Sequence, residues 1–142
     1  MEMKRVPNWS QKLVAFAIEQ CKLPFEWGST DCGSLVRRGL ELVWGAPILE
    51  LGDYSSEIEA DRMMKRLGAA ATFFESQGGN VELLSRASGG DVVIRPGIDD
   101  GLPRLGLFLY PEGVLTSDPE HGPHVIKPHE LKRRSRLYKF GR

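Results

Sequence analysis

The amino-acid sequence predicts an α+β domain in which N-terminal helices pack on a C-terminal antiparallel β-sheet. Apolar residues recur every three or four positions in the first half of the chain, which is the spacing of amphipathic helices. Short β-branched and aromatic runs, separated by Gly, Pro and Asp, follow in the last third. At 142 residues the chain is long enough for one hydrophobic core and too short for two. We therefore expect a single domain over residues 1–142, helical over about 8–78 and a β-meander over about 90–141.

The first predicted helix runs from Trp9 to Cys21. Leu13, Ala17 and Cys21 lie four residues apart, so they share one face of a helix and are expected to be buried. Asn8 precedes this segment and is a candidate N-cap, because its side chain can accept a hydrogen bond from a free amide of the first turn.

The second predicted helix begins at Cys32. Its apolar positions are Leu35, Val36, Leu40, Val43 and Trp44. Their spacings place them on the same face as Cys32, so the cysteine begins the buried stripe. Thr30 or Asp31 can cap the first turn, and Gly45 and Pro47 end the helix.

A third helix is predicted over about 57–67. Ser56 and Glu59 have the spacing of a capping box at its start, and Gly68 ends it. A short fourth helix over 69–77 follows from the apolar residues after that glycine.

Four strands are predicted after glycine-rich turns around 78–90. They are DVVIR (91–95), RLGLFLY (104–110), GVLTS (113–117) and HVIKP (124–128). The segment PEG between Tyr110 and Val114 is typical of a tight hairpin turn.

The last segment, SRLYKFGR, predicts a strand that closes the sheet. Leu137 is expected to face inward together with Phe140 or Tyr138.

The composition excludes several classes of protein. Lys plus Arg and Asp plus Glu both total 19, so there is no overall charge to attract nucleic acid or an anionic membrane. The basic segment KRRSR at 132–136 is interpreted as a solvated edge rather than a phosphate-binding patch. No apolar run is long enough to span a membrane, and the N-terminal segment lacks the pattern of a signal peptide. Two cysteines without a regular spacing indicate a reducing compartment rather than a disulfide framework.

Cys32 is the residue whose position most suggests chemistry. A thiol in the first turn of a helix lies near unpaired backbone amides and the positive end of the helix dipole, which both favour the thiolate. Free cysteine is also among the most frequently buried residue types, so position alone favours a structural role.

An ordered set of motifs resembles the NlpC-type cell-wall cysteine peptidases, which have a papain-like fold. These motifs are PFEWGSTDCGSLV, GGDVVIRP and RLGLFLYPEGVLTS, and the order of elements matches that of the family over about residues 24–127. In that family an aromatic-Trp-Gly stretch leads to Asp-Cys-Ser at a helix start, and strands of the form GDLV and HVGIYLG follow. The chain is most similar to small tail-tip proteins of phages and gene transfer agents on this scaffold. The resemblance implies that Cys32 holds the nucleophile position. Trp27, which is close to the cysteine in sequence, and Asp31, which is interpreted as a cap rather than a catalytic acid, are assigned to the substrate cleft.

The chain departs from this family at the general base. The family's histidine precedes VGIYLG, and that position falls on Arg104, which cannot accept a proton near neutral pH. Arg104 is therefore assigned to the cleft rather than to catalysis. The family's third polar residue falls near Thr116. His124 begins a predicted strand beside the one that carries Thr116, so it is the candidate substitute base.

Other chemistry is less well supported by the sequence. His121, His124 and His129 lack a usual zinc-ligand spacing, and neither cysteine is near them in sequence. We expect no metal and no cofactor.

The expected function is that of a structural protein of a phage tail tip or of tail assembly, on a cysteine-peptidase-like scaffold with degraded or no activity. Its partners would be other tail proteins of the hub or tip, without nucleic acid or a membrane span. Its location would be the virion, after assembly in the host cytoplasm. The alternative is an active endopeptidase or amidase that cleaves the peptide crosslinks of peptidoglycan during phage entry, with Cys32 as nucleophile and His124 as base. A cytosolic bacterial amidase unrelated to phages is a third possibility.

Overall fold

A computed structural model describes residues 4–49, 54–66, 74–75, 78–95, 103–109, 113–131 and 135–140. Within them, three α-helices and one six-stranded antiparallel sheet form the α+β architecture that the sequence predicts. The helices are α1 (Trp9–Gln20), α2 (Cys32–Trp44) and α3 (Glu57–Arg66). The strands are β1 (Asn80–Glu82), β2 (Val92–Arg95), β3 (Arg104–Phe108), β4 (Val114–Asp118), β5 (Gly122–Ile126) and β6 (Arg136–Lys139). Short 3₁₀ helices cover Leu84–Arg86 and Pro128–Glu130.

The strands lie in the order β1-β6-β2-β3-β4-β5. The consecutive antiparallel pairing of β2 to β5 confirms the predicted meander. Leu107 pairs with Leu115 across the predicted β3–β4 hairpin, although residues 110–112 of its turn lie outside the described residues.

The last strand does not close the sheet, and this prediction was wrong. β6 lies between β1 and β2, so it is an interior strand. Both faces of the sheet are covered there, and for that reason Leu137, Tyr138 and Phe140 are all buried. The sequence prediction missed β1 and treated its residues as part of a turn region, because a three-residue strand shows too little alternation to detect.

The sheet separates two apolar clusters. On the helical side, Leu13 of α1 and Leu35 and Leu40 of α2 pack with Leu107 and Leu115 of the sheet. A smaller cluster contains Val93, Phe108, Val114 and Leu137, with Leu84 and Leu131 of the loops packed against it. The larger cluster holds α2 against β3 and β4, and so fixes where Cys32 lies.

The predicted buried face of α1 is only partly correct. Leu13 and Ala17 are buried as expected, but Cys21 is exposed. Cys21 is the C-cap of α1 and keeps a helical backbone, with its amide bonded to Ala17 O, so its exposure shows that the core does not extend to this end of the helix. Asn8 occupies the N-cap position, but its backbone is left-handed, with φ of 58°, and its side chain makes no capping hydrogen bond. A capping side chain reaches the first-turn amides from an extended backbone, which explains why Asn8 does not.

The predicted limits of α2 are confirmed. Asp31 is its N-cap and accepts a hydrogen bond from Ser34 N, and Gly45 ends the helix in the left-handed conformation, with φ of 70°. Gly39 faces the sheet, where an added Cβ would collide with the Leu107 side chain. The close approach of α2 to β3 therefore depends on a glycine at this position.

The third predicted helix is confirmed over Glu57–Arg66, and Ser56 Oγ accepts a hydrogen bond of 3.2 Å from Glu59 N. The Glu59 carboxylate accepts hydrogen bonds from the backbone amide and the hydroxyl of Ser55, not from the amide of Ser56. The capping box is therefore shifted by one residue. The predicted fourth helix at 69–77 lies outside the described residues except for Phe74 and Glu75, which are helical. None of the helices in the described part of the chain is long and apolar enough to cross a membrane.

Candidate functional site

A cavity of about 180 Å³ opens where the N-terminus of α2 meets the sheet. Cys32 and Asp31 line it from the helix, and Arg104 lines it from the start of β3. Ser117 and Asp118 contribute from the end of β4. Phe25 and Trp27, from the loop before α2, also line it, together with Glu57, Pro103 and Pro119. The ring centroids of Phe25 and Trp27 are 4.9 Å apart in a T-shaped arrangement, which makes this part of the lining apolar.

The sulfur of Cys32 is held by a backbone group of the sheet. Leu105 N donates a hydrogen bond to Cys32 Sγ over 3.3 Å. Burial raises the pKa of the Cys32 thiol to about 11, and the negative charge of Asp31 adds to this effect. The amide of Leu105 and the positive charge of Arg95 favour the thiolate, but they do not overcome the burial. Cys32 is therefore a neutral thiol near pH 7.

The side chain of Asp31 caps the N-terminus of α2, and both of its carboxylate oxygens accept hydrogen bonds. Its Oδ1 accepts hydrogen bonds from Gly28 N at 2.8 Å and from Ser34 Oγ at 2.6 Å. Its Oδ2 accepts from Ser34 N at 3.2 Å and from the Tyr54 hydroxyl. Burial and the neighbouring Asp31 carboxylate raise the pKa of Tyr54 well above its usual value, so the phenol stays protonated and donates. Asp31 thus orders the loop and the start of α2.

A second arginine lies close to the cysteine and was not predicted from the sequence. Arg95 of β2 is directly opposite Arg104 of β3. Arg95 Nη2 donates to Thr116 Oγ1 over 3.0 Å, and Thr116 Oγ1 donates to Leu105 O over 2.8 Å. Thr116 therefore links the Arg95 guanidinium to the residue whose amide binds Cys32. The only sequence signal for Arg95 is its place at the end of the run DVVIR, which does not reveal its cross-strand partner.

Asp118 contacts both Arg104 and His121. Arg104 Nη1 is 3.5 Å from Asp118 Oδ2. His121 contacts Asp118 Oδ1 through its backbone amide at 2.8 Å and through Nδ1 at 2.9 Å. Burial alone would raise the pKa of Asp118, but the hydrogen bonds from His121 and the charge of Arg104 lower it below its usual value. The carboxylate is therefore ionised over the whole neutral range.

His124 lies on the strand beside Thr116, as the sequence predicted, and is directly opposite it in the register. Its Nδ1 is 2.8 Å from Gly122 O, and its Nε2 is 4.0 Å from Asp118 Oδ2. His124 and Thr116 are not among the cavity-lining residues. Among the described residues, no imidazole forms a hydrogen bond with Cys32 Sγ, which is bonded to Leu105 instead.

The structure thus brings together four of the six candidate residues. Cys32, Trp27, Asp31 and Arg104 line one cavity, whereas Thr116 of β4 and His124 of β5 are not part of its lining. Ser117 and Asp118 line the cavity and were not singled out as site residues in the sequence. The three histidines do not form a metal site, since no group of three candidate ligands in the described ranges is placed to hold an ion.

The fold and the cavity define a class, an α+β domain with a cysteine at a helix start facing an antiparallel sheet. The chain belongs to the family described as a domain of unknown function, DUF6950, whose model matches residues 4–137. No curated protein matches the chain.

Proposed function

We propose that the protein is a structural component of a phage tail tip or of its assembly, on an NlpC-type, papain-like scaffold that has lost catalytic activity. The observation that carries the loss of activity is the environment of Cys32. Its sulfur accepts a hydrogen bond from Leu105 N and lies near the guanidinium of Arg95, with no imidazole bonded to it among the described residues.

A cysteine peptidase needs a group that removes the thiol proton. Arginine stays protonated at every physiological pH, so neither Arg95 nor Arg104 can act as the base. With a pKa of about 11, roughly one Cys32 in ten thousand would be a thiolate at pH 7. Such a population is too small to support acylation by an unassisted thiol.

The NlpC-type kinship is supported by the order of elements around the cysteine. Cys32 begins α2, and α2 packs against β3, the strand formed by the run that resembles the family's HVGIYLG. The Asp-Cys pair of the family motif is Asp31 and Cys32, and Asp31 is retained here as a cap.

The tail role rests on the resemblance to tail-tip proteins of phages and gene transfer agents. The protein would fold in the host cytoplasm, enter the virion with the tail and contact other proteins of the hub or tip. The balanced charge of 19 basic and 19 acidic residues is compatible with protein partners and gives no general attraction to nucleic acid.

The loss of activity is tested by alkylation of Cys32 in a Cys21→Ser background, which removes the exposed second thiol. We expect the rate with iodoacetamide to rise steadily between pH 7 and pH 10 without a plateau. Crosslinked peptidoglycan peptides should remain intact during prolonged incubation. A rate plateau below pH 7, or cleavage that disappears in Cys32→Ala, would instead support the active endopeptidase, and His124→Ala would then show whether His124 is its base.

The tail role is tested in the phage or particle that encodes the chain. We expect the protein to be found in purified particles, with antibody label at the tail tip, and particles to be defective when the gene is deleted. Because the role is structural, Cys32→Ala should restore infectivity as well as Cys21→Ala, the matched control. Particles that assemble with Cys32→Ala but fail to infect would contradict the structural role, and a protein absent from particles would favour the cytosolic amidase.

A further inference from the structure

The charged side chains that line the cavity at the start of α2 do not balance one another. Arg104 is paired with Asp118, whose Oδ2 lies 3.5 Å from Arg104 Nη1. The two remaining charged residues of the lining, Asp31 and Glu57, are both carboxylates. The lining therefore carries an excess of negative charge that its single cation does not offset.

The hydrogen bonds of Asp31 do not neutralise its charge. Its donors are the amides of Gly28 and Ser34 and the hydroxyls of Ser34 and Tyr54. All of these donors are neutral, since the raised pKa of Tyr54 keeps its phenol protonated. The charge of Asp31 contributes to the raised pKa of Cys32, which also lines the cavity, so the field of this carboxylate extends to the cavity lining.

Glu57 is the carboxylate of the lining that a ligand can reach from solvent. It is exposed in the first turn of α3, and no ion pair or side-chain hydrogen bond joins it to another described residue. Glu59 of the same turn differs, because its carboxylate is bonded to Ser55 and is not part of the lining. Glu57 therefore has its full capacity to accept hydrogen bonds from a ligand.

The aromatic residues of the lining offer a cation a second kind of contact. Phe25 and Trp27 are half-buried there, with ring centroids 4.9 Å apart. Aromatic faces attract ammonium and guanidinium groups and pack against the aliphatic stems of lysine and arginine. An anion would be repelled by the lining, and an apolar ligand would take water from Glu57 without replacing its hydrogen bonds. The lining thus favours a cation with an apolar stem.

We propose that this cavity receives the side chain of a lysine or arginine from a partner protein, with Glu57 as its ionic partner, Asp31 as a further source of attraction and Trp27 against its stem. The size is suitable, because a cavity of about 150 Å³ admits benzene and this one has about 180 Å³. The inference rests on the proposed structural role, since an active peptidase would need the same cavity for its substrate. It adds the chemistry of the partner, which is a basic residue exposed on a neighbouring tail protein.

The test uses N-acetylarginine amide, N-acetyllysine amide and N-acetylcitrulline amide, which is a neutral counterpart of the arginine compound with nearly the same shape. Binding is followed by the NMR shift of the Leu105 amide, which is bonded to the lining residue Cys32. We expect a saturable shift with at least one of the two cations and binding of the citrulline compound that is at least about fivefold weaker than that of the arginine compound. Equal binding of the arginine and citrulline compounds, or no saturable shift with either cation, would overturn the proposal.

Variants assign the binding to named groups. Glu57→Gln should weaken binding of the preferred cation about threefold, and Trp27→Leu about fivefold. Arg104→Gln should act in the opposite direction and strengthen binding about twofold, because a positive charge leaves the lining. Glu59→Gln is the matched control, since it removes the same charge from the same helical turn outside the lining. Equal effects of Glu57→Gln and Glu59→Gln would overturn the assignment.

The same measurement on the unaltered protein guards against a variant that fails to fold. Raising the salt concentration should weaken binding of the arginine compound and leave the citrulline compound unaffected. Binding of the cation that does not change with salt would contradict an ionic contact with the lining.

The source of the cation is resolved by comparing propylguanidine, which is the arginine side chain alone, with the peptide acetyl-Ala-Ala-Arg-Ala-Ala-amide. Tighter binding of the peptide supports a protein partner, because the flanking backbone adds contacts. Equal or tighter binding of propylguanidine would contradict a protein partner and favour a small free cation. The proposed function fails on the alkylation and particle results and this inference on the binding results, so the two failures can be distinguished.

Discussion

Leu105 N and Cys32 Sγ are joined by a hydrogen bond of 3.3 Å, which connects the first residue of α2 to the second residue of β3. The amide that would otherwise be unpaired at this point of β3 is satisfied by the sulfur, and the sulfur is held where solvent does not reach it freely. Burial raises the pKa of this thiol although the Leu105 amide acts in the opposite direction, in contrast to the low pKa that a helix start alone would produce.

Gly28 is expected to be sensitive to substitution because of its contact with Tyr54. Its φ is +85°, and an added Cβ would collide with the Tyr54 carbonyl oxygen. Gly78 has a similar φ of +92° but open space around it, so it is a matched control for the backbone cost alone. Gly78→Ala should lower the free energy of unfolding by about 1 kcal/mol, and Gly28→Ala by about 1–3 kcal/mol more. Urea denaturation measures both, and equal losses would show that the Tyr54 contact is unimportant.

The Asp31–Tyr54 hydrogen bond should stabilise the loop before α2. Tyr54→Phe removes one donor from the Asp31 carboxylate and should lower the free energy of unfolding by about 1.5–3 kcal/mol. Because the two residues share this bond, the combined variant with Asp31→Asn should lose less than the sum of the single losses, by at least about 0.5 kcal/mol. Strict additivity in urea denaturation would contradict this coupling.

Lys139 and Asp91 form a buried ion pair whose loss should be costly. Lys139 Nζ is 2.5 Å from Asp91 Oδ2, and the two side chains are 12% and 2% exposed. Lys139→Met removes the ion-pair partner of the buried Asp91 carboxylate and leaves only the weaker charge interaction with Arg5, so it should lower the free energy of unfolding by about 3 kcal/mol.

Lys22 is the matched control, because its pair with Glu19 is exposed by 67% and 70%. Lys22→Met should change the free energy of unfolding by less than about 1 kcal/mol. Adding Asp91→Asn to Lys139→Met should recover part of the loss, and a further large loss would show that Asp91 acts mainly through its hydrogen bonds to Ser88.

Asp118 should make the stability depend on pH in the acidic range. Its pKa is lowered in the folded protein, so its ionised form stabilises the fold. This contribution is fully present above the pKa of aspartate in the unfolded chain, about 3.9, and is lost as the pH falls through the lower folded value. The difference in unfolding free energy between the natural protein and Asp118→Asn should therefore be constant above about pH 5 and shrink below about pH 4. A difference that grows on acidification would contradict the lowered pKa, and His121→Ala should reduce the effect by removing one donor.

The helices could be predicted well because their determinants are near neighbours in sequence. Asp31 caps α2 through Ser34, and Gly45 ends it, so both ends depend on contacts within a few residues. Cys21 shows the limit of this reasoning. It has the same spacing as Leu13 and Ala17 but is exposed, because periodicity does not reveal where the core ends.

The sheet and the site were less predictable. β1 has only three residues and pairs with β6, which is more than fifty residues later in the chain. Arg95 lies near Cys32 because the strand register places it opposite Arg104 and because its guanidinium donates a hydrogen bond to Thr116. The Ser117 hydroxyl has no hydrogen-bond partner among the described residues. This is likewise a property of packing, because a serine in a strand looks the same in sequence whether or not it has a partner.

The sequence alone determined that Cys32 follows a capping aspartate at the start of a helix. It also determined that Arg104 stands where the NlpC-type peptidases have the histidine that acts as the general base. Only the tertiary structure decided which groups contact the sulfur, since Cys32 and Leu105 are 73 positions apart in the sequence. Capping and periodicity act between residues a few positions apart, and they are therefore visible in sequence. The ionisation of a thiol depends on the charges, donors and solvent around it, and these are set by packing between distant segments.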